Sequence, residues 1–193
     1  MTLKVISAGI VTLQDRGRFG YENVGVGRAG AWNKLSYGLI ASFLQQKDPA
    51  VFEILAGSFE ITTEHQISAV VIGKAEVFVN GLKTTSETLI AVDAGRLLRV
   101  VPTAERPVYL GIDTLKVEKV LGSASFDTLA KIGPSQVAVG DEFEVNASTL
   151  SLVGSFISRM PRTEAGILHF IPGPAQIELP EKITVSASSR IGT

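Results

Sequence analysis

Cysteine is missing altogether from the 193 residues, and histidine is nearly so, with His65 and His169 alone. The first absence excludes disulfides, thiolate nucleophiles and thiolate metal sites. The second leaves no HxxxH pair, so no metal site is expected. No apolar run approaches the roughly 18 residues that span a bilayer. The apolar stretch after Met1 soon meets Gly9 and the charged pair Asp15-Arg16, too early for a secretory signal. The expectation is a cytoplasmic protein that meets no membrane. Charge is scarce as well: 19% of residues, with 18 basic and 19 acidic side chains giving a net charge of -1. Without a basic excess the chain lacks the positive footprint that nucleic-acid binding needs. No G-x-S-x-G elbow and no P-loop is present.

What is plentiful is β-branched sequence cut by glycine. Leu3–Ile6 and Ile10–Leu13 read as two strands, or as one strand bent at Gly9. Val51–Leu55, Ser58–Thr62 and Ala69–Ile72 follow, and Val77-Phe78-Val79 runs into Asn80-Gly81, a pair suited to the primed hairpin turn. Thr88–Val92 and Leu97–Val101 are predicted to pair around Asp93-Ala94-Gly95-Arg96. Pro107–Ile112 reads as an edge strand because it opens with proline. Asp127–Ala130 suggests one helical turn, and Ile167–Ile171, Ala175–Leu179 and Ile183–Val185 suggest three later strands. Residues 146–165 read as a linker or loop. The fold class is therefore mainly β, a barrel or sandwich of short strands. The spacing predicts one principal amphipathic helix over 31–47. Its apolar stripe would be Trp32, Leu35, Ser36, Leu39, Ile40, Phe43 and Leu44, with Tyr37 turned outward, and Asp48-Pro49 would end it. A division into 1–102 and 103–193 is expected.

The candidate site begins where glycine is densest. Gln14 to Gly30 carries Gly17, Gly20, Gly25, Gly27 and Gly30 with Asp15, Arg16 and Arg18. Glycines there allow a tight ordered loop, and Phe19, Tyr21 and Val24 would anchor it. Arg16 and Arg18 can hold an anion, and Asp15 can orient them or move protons; an internal Asp-Arg pair that pins the loop is the alternative. Glu53 shares a strand face with Val51 and Leu55, so burial could make it an acid or base, or pair it with an arginine. Gly122, Ser123, Ala124 and Ser125 could offer backbone N–H groups to a phosphate or carboxylate, especially with a helix starting at Asp127; tight-turn chemistry is the alternative. Arg190 could reach an anion near the chain end. His169 reads as a core or interface residue.

Gly9, Thr12, Gln14, Asp15, Gly17, Arg18, Gly20 and Tyr21 resemble the "TVQDxGRxGY" opening of the allophanate hydrolase subunit 2 family, also described as the biotin-dependent carboxyltransferase A/B domain. Gly25, Val26 and Gly30, Phe52-Glu53, Asn80-Gly81, Leu121-Gly122-Ser123, Pro172-Gly173-Pro174 and Ser189-Arg190-Ile191-Gly192 resemble later motifs of that family. Departures include Asn33 where the family usually has Asp, Ala124 where it has Arg, and Ser189 before Arg190. The family chain is also usually longer, so residues 103–193 resemble an incomplete second β subdomain. The resemblance implies a cyclophilin-like barrel working beside a carboxyltransferase C/D-type partner protein; either a separate chain supplies the missing C-terminal part, or this is a reduced paralogue. It implies a small amide or carboxylate substrate, ATP acting through the complex, and no metal or covalent cofactor on this chain. Family members include the C subunit of ATP-dependent 5-oxoprolinase, urea-degrading carboxyltransferases, and a noncatalytic antagonist of a sporulation-kinase inhibitor. A hydrolase subunit of the 5-oxoprolinase kind is the leading expectation; the other two are the alternatives.

Overall fold

The computed structural model describes residues 2–104 and 107–146, all of them within the unit Met1–Ser158. The strands expected after residue 166, the linker from 147 onward, His169 and Arg190 lie outside the described residues.

The fold is mainly β, consistent with a cyclophilin-like architecture. Its elements are β1 (Thr2–Gln14), a 3-10 turn (Glu22–Val24), α1 (Lys34–Phe43), β2 (Val51–Thr63), β3 (Ile67–Ile72), β4 (Ala75–Val79), β5 (Leu82–Thr84), β6 (Leu89–Val92), β7 (Leu97–Pro102), β8 (Val108–Ile112), β9 (Leu115–Lys116) and β10 (Glu142–Val145). Every ladder is antiparallel.

The long strands organise the rest. β1 is continuous and bent rather than split, with register shifts between Val5 and Val11 where it runs along β2. Such bulges let one strand curl around a core. On its other edge β2 serves two wings. Phe59–Thr62 pair with β7, which leads to β4 and β5; Val51–Ile54 pair with β8, which leads to β3 and β6. The division expected at 102/103 falls between β7 and β8, both of which pair with β2.

Alternation along the strands then makes two apolar layers. Phe52, Ile54, Phe59, Ile61, Val108 and Leu110 point into the main core with Leu3, Val5, Val11 and Leu13. Val51 and Tyr109 point to the opposite face, where Tyr37 and Ile40 of α1 and its C-cap Leu44 cover them. Burying Ile40 and Leu44 contributes about 2 kcal/mol each. The helix sits close because Gly111 lacks a side chain: a Cβ there would lie 2.3 Å from Ile40.

Four sequence expectations are corrected. β6 and β7 do not pair with each other: β6 joins β3, and β7 lies between β4 and β2. β8 is an interior strand rather than an edge, since Pro107 precedes it and every N–H of Val108–Ile112 stays available to the ladders. Residues 127–130 form a turn, with Asp127 Oδ1 accepting from the N–H groups of Leu129 and Ala130 at 2.9 Å. Finally, α1 is shorter than 31–47 and rotated. Tyr37 is buried, whereas Trp32 and Leu35 are 80% and 63% exposed. Tyr37 tolerates burial because its hydroxyl reaches Asp48 Oδ1 at 2.7 Å and the Pro49 carbonyl at 3.1 Å. Trp32 lies before the N-cap, so the helical period does not govern it.

Candidate functional site: a loop held at both ends

Gln14 ends β1, and the chain then doubles back before entering α1. Two backbone bonds close the loop, from Arg18 N–H to the Arg28 carbonyl (2.8 Å) and from Ala31 N–H to the Asp15 carbonyl (2.9 Å). The two arms approach so closely that a Cβ on Gly17 would lie 2.6 Å from the Arg28 carbonyl, and one on Gly30 2.8 Å from the Arg16 carbonyl. Both glycines have positive φ, so a side chain there would be strained as well. Gly20 and Gly25 also take positive φ, Gly25 as the cap of the 3-10 turn. Glu22 braces the middle through Arg28 and the Gly20 N–H, and the Arg28 hydrogen bond pulls its carboxyl down to about 2.

At the start of the loop Asp15 is fully buried. Its Oδ1 accepts from Gly17 N–H (2.7 Å), Ser123 Oγ (2.7 Å) and Ser125 Oγ (2.6 Å), and its Oδ2 from Ala124 N–H (2.7 Å). Its own N–H donates to Ser125 Oγ at 2.9 Å. Burial alone would push the Asp15 pKa up. The bonds from Ser123, Ser125, Ala124 and Gly17 outweigh it and hold the carboxyl below its ordinary value. Asp15 is thus an ionised carboxylate with donors on both oxygens.

Arg18 is the reverse case. It too is buried, 2% exposed. Its Nη2 donates to the Ser125 carbonyl at 2.5 Å and lies 3.4 Å from the Ile132 carbonyl. Nε and Nη1 are buried with no hydrogen-bond partner among the described residues. Among the described residues no ion pair involves Arg18, because Asp15 faces serines and N–H groups instead. Burying a cation without a counter-charge costs several kcal/mol.

At the far end Glu53 is nearly buried, and its Oε2 accepts from Tyr109 Oη at 2.5 Å and Trp32 N–H at 2.9 Å. Tyr109 Oη in turn accepts from Asn33 N–H at 2.8 Å. Burial, and then the hydrogen bond to Glu53, push the Tyr109 pKa up, so the phenol keeps its proton. Asn33 caps α1, its Oδ1 accepting from Leu35 N–H (3.1 Å) and Ser36 N–H (3.2 Å). The Asn for Asp replacement therefore preserves the cap.

Asp15, Arg18 and Ser123 are brought together around Ser125, and Glu53 joins them through the backbone of residues 31–32. Arg16 is exposed beside Phe19, its guanidinium carbon 6.0 Å from the ring centroid, and its N–H donates to Asp48. Gly122 is exposed in the turn that carries Ser123 inward. Sequence reasoning missed Tyr109, and it read the 122–125 segment for its backbone N–H groups rather than for the hydroxyls of Ser123 and Ser125. Tyr109 sits two residues from Gly111 on the face that Val51 and Glu53 share, and that register could have found it. That Ser123 and Ser125 meet Asp15 through their hydroxyls is set only by the fold. Among the described residues no three His, Asp or Glu side chains gather as a metal site, and no helix is long and apolar enough to cross a membrane.

This geometry defines a β-domain whose conspicuous polar feature is a Gly-rich loop locked against the sheet. The family follows from comparison with known proteins. Residues 24–188 match the carboxyltransferase domain, subdomain A and B, and the chain belongs to that family. The match begins downstream of the Gln14–Tyr21 motif. Solved structures share the fold. TTHA0988 is 24% identical with a TM-score of 0.69, the alignment covering 76% of this chain and 31% of that one. The urea amidolyase of Kluyveromyces lactis is 22% identical with a TM-score of 0.68, covering 78% and 10%. The Kluyveromyces lactis urea carboxylase is 21% identical with a TM-score of 0.69, covering 78% and 14%. The chain thus spans under a third of each of these three solved chains, and 59% of TTHA0988 in a second crystal form. No curated protein matches it.

Proposed function

We propose that this chain is the A/B portion of a carboxyltransferase-type assembly that acts on a small amide, the urea carboxylase or allophanate hydrolase kind being the reading best supported. Family membership carries the proposal, together with the similar folds found inside much longer urea-processing chains. A C/D-type partner, or a further chain, would complete the substrate pocket, and ATP would act elsewhere in the complex. The 5-oxoprolinase reading is kept as the second, because the motifs around Asp15 resemble a family that includes that member.

Within this proposal the loop residues divide by role. A general base needs a free lone pair and a pKa near the working pH. Asp15 has donors on both oxygens and a lowered pKa, so it serves as a positioning residue for the loop. Glu53 positions Trp32 and Tyr109. Arg16, Arg18 and, when partner chains are present, Arg190 are the candidates to meet an anionic substrate. The test is to purify the chain with its partner. Labelled bicarbonate incorporation into urea and glutamate release from 5-oxoproline are then assayed, each with and without ATP. Turnover in the first assay supports the carboxyltransferase reading, and turnover in the second alone moves the assignment to oxoprolinase. A stable complex inactive in both would favour a regulatory binding protein.

A further inference from the structure

We propose that Arg18 is the cationic half of a closed binding site for a small carboxylate. This deepens the reading above and rests on it only for the idea that the loop faces a substrate. Carboxylate binding at Arg18 does not depend on turnover.

Arg18 carries its charge at any physiological pH. Among the described residues its one Nε–H and both Nη1–H groups are buried without acceptors, and its partners through Nη2 are neutral carbonyls. The nearest carboxylate in sequence, Asp15, is already held by four donors and is not available as a counter-ion. Buried charges in proteins are paired or bind an ion. The missing group must be an acceptor, must be small, and is best anionic. A carboxylate satisfies all three, and guanidinium geometry suits it.

A short exposed turn ends beside this site. Residues 128–131 are exposed, Asp127 N–H donates to the Ile132 carbonyl at 2.8 Å, and Asp127 Oδ1 accepts from the N–H groups of Leu129 and Ala130. Ile132 is also one of the two carbonyls near Nη2.

The experiment is a thermal-shift titration of the full chain with malonate and acetate, against chloride at equal ionic strength. Wild type, Arg18→Met and Arg18→Lys are compared. A saturable carboxylate-specific rise of at least about 2 °C is expected for wild type. Arg18→Met should show none, while being no less stable in buffer, since it removes an unpaired buried charge. Should Arg18→Met fail to fold, Arg18→Lys carries the comparison, with a midpoint at least tenfold higher than wild type. An equal response in wild type and both variants, or no response in wild type, overturns the proposal. A carboxylate from elsewhere in the chain already seated on Arg18 would give the second result. An inactive complex with a positive titration would sink the proposed function alone, and an active complex with a flat titration would sink this inference alone.

Discussion

The two ends of the Gly-rich loop are built from the same materials and reach opposite electrostatic states. At the far end Glu53, Tyr109, Trp32 and Asn33 form a short chain of hydrogen bonds that finishes in a capped helix. At the near end Asp15 collects four donors while Arg18, three residues on, keeps two nitrogens unpartnered. An opposite charge so near in sequence would normally be recruited. Here the 123–125 segment competes for the carboxylate and wins, because two hydroxyls and one N–H satisfy it at short range. The loop is rigidly held at one end for structure alone, and at the other with a charge left over.

Removing Asp15 should break the comparison most. Asp15→Ala leaves Ser123, Ser125, Ala124 and Gly17 without their acceptor, and a loss of about 3–5 kcal/mol in urea denaturation is expected. Trypsin should then cut at Arg16 and Arg28 under native conditions. The same carboxylate sets an acid limit. Its folded pKa lies below its unfolded value, so its contribution is present above the unfolded value near 3.8 and is lost as pH falls through the folded pKa. Stability profiles should therefore show an acid limb that is absent in Asp15→Asn. A limb of equal size in that variant would place its origin in other carboxyls.

Breaking the far end costs less. Tyr109→Phe leaves the Asn33 N–H without an acceptor and takes one donor from Glu53, for an expected loss of about 2 kcal/mol by chemical denaturation. Asn33→Ala removes only the helix cap, at about 1 kcal/mol. Asn33→Asp should keep the cap and gain slightly from the helix dipole. Smallest of all, Trp32→Ser should change stability by no more than about 0.5 kcal/mol, because the indole is exposed. A larger change in that variant would show that Trp32 packs onto something in the folded chain.

The sequence made some of this legible. Period-two alternation correctly set Phe52 and Ile54 against Val51 and Glu53, and the Asn80-Gly81 turn joins β4 to β5 with both residues at positive φ. Strand partners were less legible, since a short connection such as 93–96 does not force a hairpin when better edges exist on β3 and β4. The helix face was misread because Tyr37 counts as polar until Asp48 and Pro49 are placed beside its hydroxyl. The fate of Asp15 was legible only in part: the 122–125 segment reads as able to offer N–H groups to an anion, but Ser123, Ala124 and Ser125 lie more than a hundred residues from Asp15, and nothing local reveals that the two serines reach it as hydroxyls.

The most direct test of this unequal loop is a crystal structure of the chain grown in malonate. The expected result is a malonate oxygen about 3 Å from Arg18 Nε or Nη1, with Asp15 still gripped by Ser123 and Ser125. Asp15 turned onto the Arg18 guanidinium, with the serines released, would contradict it.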